Sequence, residues 1–524
     1  MKAFLGGSIM SDLIKKYATN GLCDADLPFE LLTPKEMVKA DQLAVISGGY
    51  ESYRLMLNAA QAVGNIILEK YKNAQRVAVI CGPGNNGGDG YAVAEFLKAR
   101  GYQAICFSCC QPRIGSDAHK AFVDWSGATL NIDALVFNDF DLIVDALYGA
   151  GLDRGLNEKT GALVKKINAS GVPVIAIDLP SGIVGRDGSV NTVAVKAIYT
   201  VTFFRLKPGH VCYPARAYCG DIILRDIGIT SDVLKDICPN TSINLPKMWL
   251  GDWHVLEYDM HKYSKGHVAV FSGPAIMTGA ARLAAHAAAR TGAGLVTILA
   301  PQDALSVHES HLTSVMLKEM GSDADVLSFF QQRKVKTAVL GPGFGAMDRA
   351  FTLIKTILVT QDCIETIVLD ADALTAIADK TDEIFELIKQ STVKVVLTPH
   401  EGEFKRIFPD IASKSNSPRI DKAREAALKS GATVVYKGAD SMIASPDGRL
   451  SITVNGTPFL ATAGSGDVLS GILGGLLVQG MPVYEAVCAG NWIHAECGRQ
   501  VGIGAIADDL ITQIPSILHN LTCD

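Results

Sequence analysis

The chain has 524 residues, of which 48% are hydrophobic and 19% charged, with a formal net charge of −6. It is too long for one ordinary core, the length prior being about two to four domains, and too apolar to be disordered. The acidic balance and the lack of a long basic block argue against a nucleic-acid or anionic-membrane surface.

Residues 1–30 read as a weakly patterned leader. Met1–Met10 carries one lysine and a short apolar stretch, and Asp12 follows, which argues against a secretory signal. No run reaches the ~18 apolar residues of a membrane span. The apolar helix expected at 468–478 is too short and glycine-rich to be one. Twelve cysteines, several of them in apolar elements (Cys81, Cys106, Cys488), fit reduced thiols, and a cytoplasmic location is expected. Cys106 and Cys109 form a C-x-x-C without a second pair and read as ordinary strand-end cysteines. His308 and His311 read as a solvated helix face.

From residue 31 strands and helices alternate. Residues 76–81 are a continuous apolar run ending at glycines, as a parallel-sheet strand does. A helix is expected at about 90–100, and further strands at 104–107, 142–145, 174–178 and 197–203. Residues 230–253 lose periodicity, and a linker is placed at 234–253. The alternation restarts with a strand at 268–271, a helix at 279–291, and strands at 295–299, 337–340, 366–369, 394–397 and 433–436. The expectation is α/β throughout, in two fused domains spanning 31–233 and 254–524, each binding ligand at its strand C-terminal ends.

In the first domain Gly82-Pro83-Gly84-Asn85-Asn86-Gly87-Gly88-Asp89-Gly90 follows a strand and opens a helix. It satisfies G-x-G-x-x-G, but the acidic residue that a dinucleotide-binding dehydrogenase needs about 20 positions on is missing at 105–109. Asp145 stands at the next strand tip before the glycine loop Gly149-Ala150-Gly151-Leu152-Asp153-Arg154-Gly155, and Asp178 and Ser181 follow the strand after that. Asn86, Asp145 and Ser181 offer oxygen ligands of modest charge, which suits a monovalent cation better than zinc. Asp178 is then free for acid/base work. Singly these are ordinary turn and cap residues; three at successive strand ends are more than that.

The second domain ends its strands on Gly341-Pro342-Gly343, Asp370-Ala371-Asp372, Thr398-Pro399-His400-Glu401-Gly402-Glu403 and Lys437-Gly438-Ala439-Asp440-Ser441. Last comes Thr462-Ala463-Gly464-Ser465-Gly466-Asp467, a small-residue turn opening an apolar helix. Such a turn sets backbone N–H groups, a helix N-terminus and a carboxylate where phosphoryl transfer needs them. No G-x-x-x-x-G-K-[ST] exists, so this is not a P-loop enzyme. Alone, His400 reads as a hydrogen-bonded loop histidine and His494 as a core helix residue.

With these motifs in place, residues 31–233 resemble the epimerase domain of the NAD(P)HX repair system: Leu32-Thr33-Pro34, PGNNGGDG at 83–90, VDALYGAGL at 144–152, IDLPSG at 177–182 and LKPGH at 206–210. The chain departs from the family's LMExAG-like helix at Leu57 and Ala60, and has Phe204-Arg205 where smaller residues are usual. From Lys265 the motifs KGHVAVFSG, TGAARLAA, RTGAGLVT, GPGFG, DADAL, TPHEGE, VVYKG and TAGSGDVLSG resemble the ADP/ATP-dependent NAD(P)HX dehydratases. The resemblance implies a Rossmann-like three-layer α/β/α sandwich followed by a ribokinase-like α/β domain, together a bifunctional repair enzyme. The first domain then epimerises R- and S-NAD(P)HX, and the second converts S-NAD(P)HX to NAD(P)H at the expense of ADP, releasing AMP and phosphate.

Carried over by motif, potassium falls to Asn86, Asp145 and Ser181. The hydrated nucleotide falls to Asn85, Asn86, Gly87, Gly88, Asp89, the Gly149–Gly155 loop (Gly149, Ala150, Gly151, Leu152, Asp153, Arg154, Gly155) and Asp178. In the second domain it falls to Ala280, Gly343, His400 and Asp467. The adenine nucleotide falls to Lys437, Gly438, Ala439, Asp440, Ser441 and Gly466, with Mg2+ expected alongside it. Asp467 and Asp178 are the implied catalytic residues. The expected partners are these small molecules, with neither nucleic acid nor membrane, and homo-oligomerisation is left open. The alternative is a ribokinase-like vitamin-precursor kinase with a non-catalytic ligand-binding first domain.

Overall fold

The computed structural model describes residue 22 and residues 26–49, 51–253 and 261–522. The leader expected over residues 1–30 lies largely outside them. The chain divides into two compact units, Met1–Ser242 and Ile243–Asp524.

The first unit is built on seven strands: β1 Arg76–Cys81, β2 Gln103–Ser108, β3 Thr129–Asn131, β4 Leu142–Ala146, β5 Val174–Ile177, β6 Tyr199–Phe203 and β7 Asp221–Arg225. They lie in the order β3-β2-β1-β4-β5-β6-β7, and every pairing is parallel. Successive side chains point to opposite faces, and β1 shows the consequence. Val77, Val79 and Cys81 enter one apolar core, while Ala78 and Ile80 enter another. A sheet covered on both faces needs this unbroken hydrophobic run. The strand order reverses between β1 and β4, so a crevice opens at their C-terminal ends.

The second sheet has ten strands, β8 Thr241–Ile243, which crosses the boundary between the units, β9 His267–Phe271, β10 Leu295–Ala300, β11 Met316–Glu319, β12 Val335–Leu340, β13 Thr366–Leu369, β14 Lys394–Leu397, β15 Thr433–Tyr436, β16 Met442–Ala444 and β17 Leu450–Ile452. Their order is β11-β10-β9-β12-β13-β14-β15-β16-β17-β8. The strands from β9 to β15 pair in parallel, and β16 and β17 add an antiparallel meander. The helices Thr278–Arg290 and Ser465–Leu477 cross in close contact within the core. A Cβ on Gly471 would lie 2.1 Å from the carbonyl oxygen of Ala284. The glycines of this apolar helix thus admit a neighbouring backbone, and no described helix is long and apolar enough to cross a membrane.

The strands expected from apolar runs are present to within one or two residues. The residues at 234–253, expected as a linker, carry the helical turn Leu234–Ile237, β8 and two 3-10 turns, and Trp249 among them is fully buried in the second core.

Candidate functional sites

In the first unit the helix Asn85–Lys98 begins inside the glycine loop. Gly87 is required there because a Cβ would meet the carbonyl oxygen of Gly82 at 1.9 Å. Asn85 is exposed at the first turn, Asn86 is half-buried, and Gly87 and Gly88 are buried. Asp89 faces two other carboxylates. Burial, then the charges of Asp178 and Asp41, push its carboxyl well above the usual range.

Asp145 is fully buried in β4. It accepts hydrogen bonds from Ser181 N at 2.8 Å and Ser181 Oγ at 2.6 Å, and from Leu147 N at 3.3 Å. Burial pushes its carboxyl up to about 6, these neutral donors only partly opposing it. Ser181 Oγ in turn accepts from Tyr148 N at 2.9 Å. Asp145 and Ser181 therefore meet directly. Asn86 faces the neighbouring Gly149, where a Cβ would lie 3.0 Å from its Oδ1.

Asp178 follows β5 with φ +62°, a left-handed conformation that a non-glycine residue holds only when its surroundings enforce it. Its Oδ2 accepts from Ala150 N at 2.8 Å, and its Oδ1 from Lys207 Nζ at 2.8 Å and Thr202 Oγ1 at 3.1 Å. Burial alone would raise its carboxyl; the Lys207 ammonium, His210 and the hydrogen bonds outweigh it and hold the group at about 2. Of the Gly149–Gly155 loop, Gly149 and Ala150 reach this carboxylate, Leu152 packs partly against apolar side chains, and Gly151, Asp153 and Arg154 are exposed. Lys207, His210 and Thr202 carry no role in the sequence reading, although LKPGH is among its motifs. Asp41, in the helix Pro34–Gly48, was missed altogether. Burial first, and then Asp178 against the opposing Lys207, push its carboxyl up to about 6.

In the second unit Gly464 adopts φ +85° as the N-cap of the helix Ser465–Leu477. Asp467 falls in the first turn and its carboxylate makes no hydrogen bond among the described residues. Burial, then the charges of Asp370 and Asp372 against that of Lys437, push its carboxyl up to about 6. Lys437 follows β15 and bonds Asp370 Oδ1 at 2.8 Å, with Glu403 at 3.9 Å. Asp370 is also bonded by Ser470 Oγ at 2.8 Å. Burial would raise its carboxyl, but Lys437 and these bonds hold it low. A Cβ on Gly466 would lie 3.7 Å from both Asp370 Oδ2 and Lys437 Nζ, so the glycine turn, the lysine strand and the acidic strand end converge. Asp370 is the central residue here to which the sequence reading gave no role.

His400 caps the helix Glu401–Ile407, its Nδ1 accepting from Gly402 N at 2.9 Å and Glu403 N at 3.3 Å. The ring proton therefore sits on Nε2, which faces Glu403 Oε1 at 3.4 Å. Gly343, at φ +58°, packs beside Ala280, whose Cβ is 3.1 Å from the position a Gly343 Cβ would take. Gly438 N donates to Ser441 Oγ at 3.1 Å, closing the Lys437–Ser441 turn, which includes the buried Asp440 and the exposed Ala439.

Two histidines depart from the simplest reading, while Cys106 and Cys109 lie at a strand end as expected. His308, expected on a solvated face, is fully buried and shares a hydrogen bond with Ser272 Oγ at 2.9 Å, because its face of the short helix Leu305–Glu309 turns inward. His494 is only partly buried, and its Nε2 lies 2.9 Å from Ser465 O and 3.0 Å from Ser465 Oγ, so it steadies the first turn of the Asp467 helix. Cys106 is buried whereas Cys109 is exposed, and the Cys109 sulfur sits 3.7 Å from that of Cys110.

Residues 52–209 match the family model described as YjeF-related protein N-terminus, and residues 268–519 match NAD(P)H-hydrate dehydratase. The bifunctional NAD(P)H-hydrate repair enzyme Nnr of Coxiella burnetii is 33% identical over 500 residues, covering 93% of this chain and 98% of its own. The enzyme of the same name from Moorella thermoacetica is 33% identical over 521 residues, covering 94% and 97%. A crystal structure of the Bacillus subtilis ADP/ATP-dependent NAD(P)H-hydrate dehydratase, co-crystallised with ATP and Mg2+, covers 53% of this chain and 98% of its own at 24% identity, with a TM-score of 0.48.

Proposed function

The chain belongs to the bifunctional NAD(P)H-hydrate repair enzyme family, and from that premise we propose that its two sites carry the two reactions in succession. The first unit interconverts R- and S-NAD(P)HX. The second uses ADP to dehydrate the S epimer to NAD(P)H, releasing AMP and phosphate. We assign residues 31–233 to the epimerase and 254–524 to the dehydratase, and infer that both work in the cytoplasm on these small molecules.

The observation that carries the reading is the convergence of Asp467, Gly466 and the Lys437–Asp370 pair at the N-terminus of an apolar helix. Hydroxide is a poor leaving group from the hydrated ring. Phosphorylating that hydroxyl makes the group leave as phosphate, and loss of the adjacent ring proton with it restores the dihydropyridine. Asp467 takes the hydroxyl proton, with a carboxyl tuned to about 6 for the task. The first-turn amides of its helix stabilise charge on the transferring group. Ala280, Gly343 and His400 line the hydrated nucleotide, and Lys437–Ser441 with Gly466 hold the adenine nucleotide. Magnesium bound with the nucleotide would neutralise charge on its phosphates. The neighbouring carboxylates Asp370, Asp372 and Glu403 are already hydrogen-bonded within the protein, which suits an ion held chiefly by those phosphates.

Potassium fits the first unit. Asp145 is a buried carboxylate among neutral donors, and Ser181 and Asn86 add only oxygen ligands. A monovalent cation offsets that single charge. The loops at 85–89 and 149–155 take the nucleotide, and Asp178 handles the proton.

The test supplies enzymatically hydrated NADH with ADP and follows the absorbance of restored NADH. No recovery, with phosphorylation of a vitamin alcohol instead, would overturn the dehydratase reading. Supplying only the R epimer tests the other half: repair no faster than spontaneous epimerisation would make the first unit a binding module.

A further inference from the structure

Hydrogen-bond capacity around Asp178 leaves little freedom. Lys207 is 2% exposed, and its ammonium has three protons. Its partners are three: Asp178 Oδ1 at 2.8 Å, Thr202 Oγ1 at 2.9 Å and Phe203 O at 3.5 Å. Nothing remains to offer a substrate. Thr202 accepts from Lys207 and donates its own hydroxyl hydrogen to a bond with Asp178 Oδ1 at 3.1 Å, so both acceptor positions of Oδ1 are filled. Ala150 N occupies one position of Oδ2 at 2.8 Å. One acceptor position is left, on Oδ2. The Asp178 side chain keeps 19% of its surface exposed, and this oxygen lies beside Gly149, where a Cβ would come within 2.8 Å of it.

The backbone is clamped as well. His210 Nδ1 accepts from Lys207 N at 2.9 Å, so its proton is on Nε2 and is donated to Asp178 O at 2.7 Å. One imidazole thus ties the lysine's main chain to the strained main chain of the aspartate, whose φ is +62°.

We propose that the Leu206–His210 segment is the orienting frame of the first site. Lys207, acting through Thr202 and Asp178, leaves a single carboxylate acceptor beside Gly149, where it accepts a hydrogen bond from the hydroxyl of the hydrated nicotinamide. Lys207 is thereby a positioning residue and Asp178 the group that meets substrate. This rests on the epimerase reading of the site.

The experiment uses the full chain in potassium buffer with the R epimer and excess ADP, under conditions where epimerisation limits NADH recovery. Lys207→Met lowers kcat by roughly 100-fold while KM stays within about threefold, the range of a lost proton-transfer arrangement. Thr202→Val, nearly isosteric, lowers kcat by roughly tenfold and guards against a fold defect in the lysine variant. Dehydration of the S epimer is unchanged in both. Because Lys207 acts through Asp178, adding Lys207→Met to Asp178→Asn costs less than about threefold more. Single variants within threefold of the parent, or losses that multiply in the double variant, would overturn the proposal. A parent chain that does not accelerate epimerisation at all would instead overturn the assigned function of the site, and this inference with it.

Discussion

Asp467 and Asp178 are both carboxylates near a lysine at a strand edge, yet their surroundings drive them apart. Asp178 receives its lysine directly and is held at about 2. Asp467 lies beside Asp370, whose own bond to Lys437 uses the compensating charge, and burial pushes it up to about 6. A base must be ionised, so below pH 6 Asp467 is increasingly protonated and the dehydration rate falls about tenfold per pH unit; above it the rate is flat. Asp467→Asn lowers kcat by at least roughly 100-fold and removes that acid limb, as a pH–rate profile of NADH recovery will show. The glycines, Asp467 and Asp178 were legible in the sequence because each sits in a turn whose chemistry is local. The lysine pairings were not, although Lys437 itself was read as a nucleotide-binding residue. Lys207 is 29 residues from Asp178 and Lys437 is 67 from Asp370, distances that only a folded sheet closes.

At the scale of elements, the crossing of Thr278–Arg290 with Ser465–Leu477 fixes where the glycine turn stands. Gly471→Ala places a Cβ against Ala284 O, a backbone atom that cannot swing away. Stability falls by about 1–3 kcal/mol, read from the urea midpoint, despite alanine's better helix propensity. Gly279→Ala, whose Cβ would meet nothing within 4 Å, is neutral or slightly stabilising in the same assay. The long apolar strands were readable from their unbroken hydrophobic runs. The short strands β3, β8, β16 and β17 have three residues each, too few for a period to register. The Asp467 helix begins at Ser465, earlier than its apolar run suggests, because Gly464 supplies the left-handed cap.

For the molecule as a whole, each unit carries its own sheet and its own set of strand-end residues. The two reactions should therefore respond separately. Replacing potassium by sodium slows epimerisation and leaves dehydration of the S epimer unchanged, whereas Asp467→Asn does the reverse; assays with each pure epimer will check both. The order of motifs along the chain revealed the two-domain α/β plan and its family, since glycine loops after apolar runs survive as local patterns.

The packed helix behind Asp467 has a further consequence, in exchange chemistry. From Val468 to Leu477 every residue is buried, and at Gly471 a neighbouring backbone approaches too closely to admit water. Its mid-helix amide protons will trade with deuterium only when the whole second unit opens. Gly466 and Asp467, half-buried in the first turn, will label early in the free protein and slowly once ADP is bound, so one peptide covering residues 462–477 reports ligand occupancy and global opening on two separate clocks.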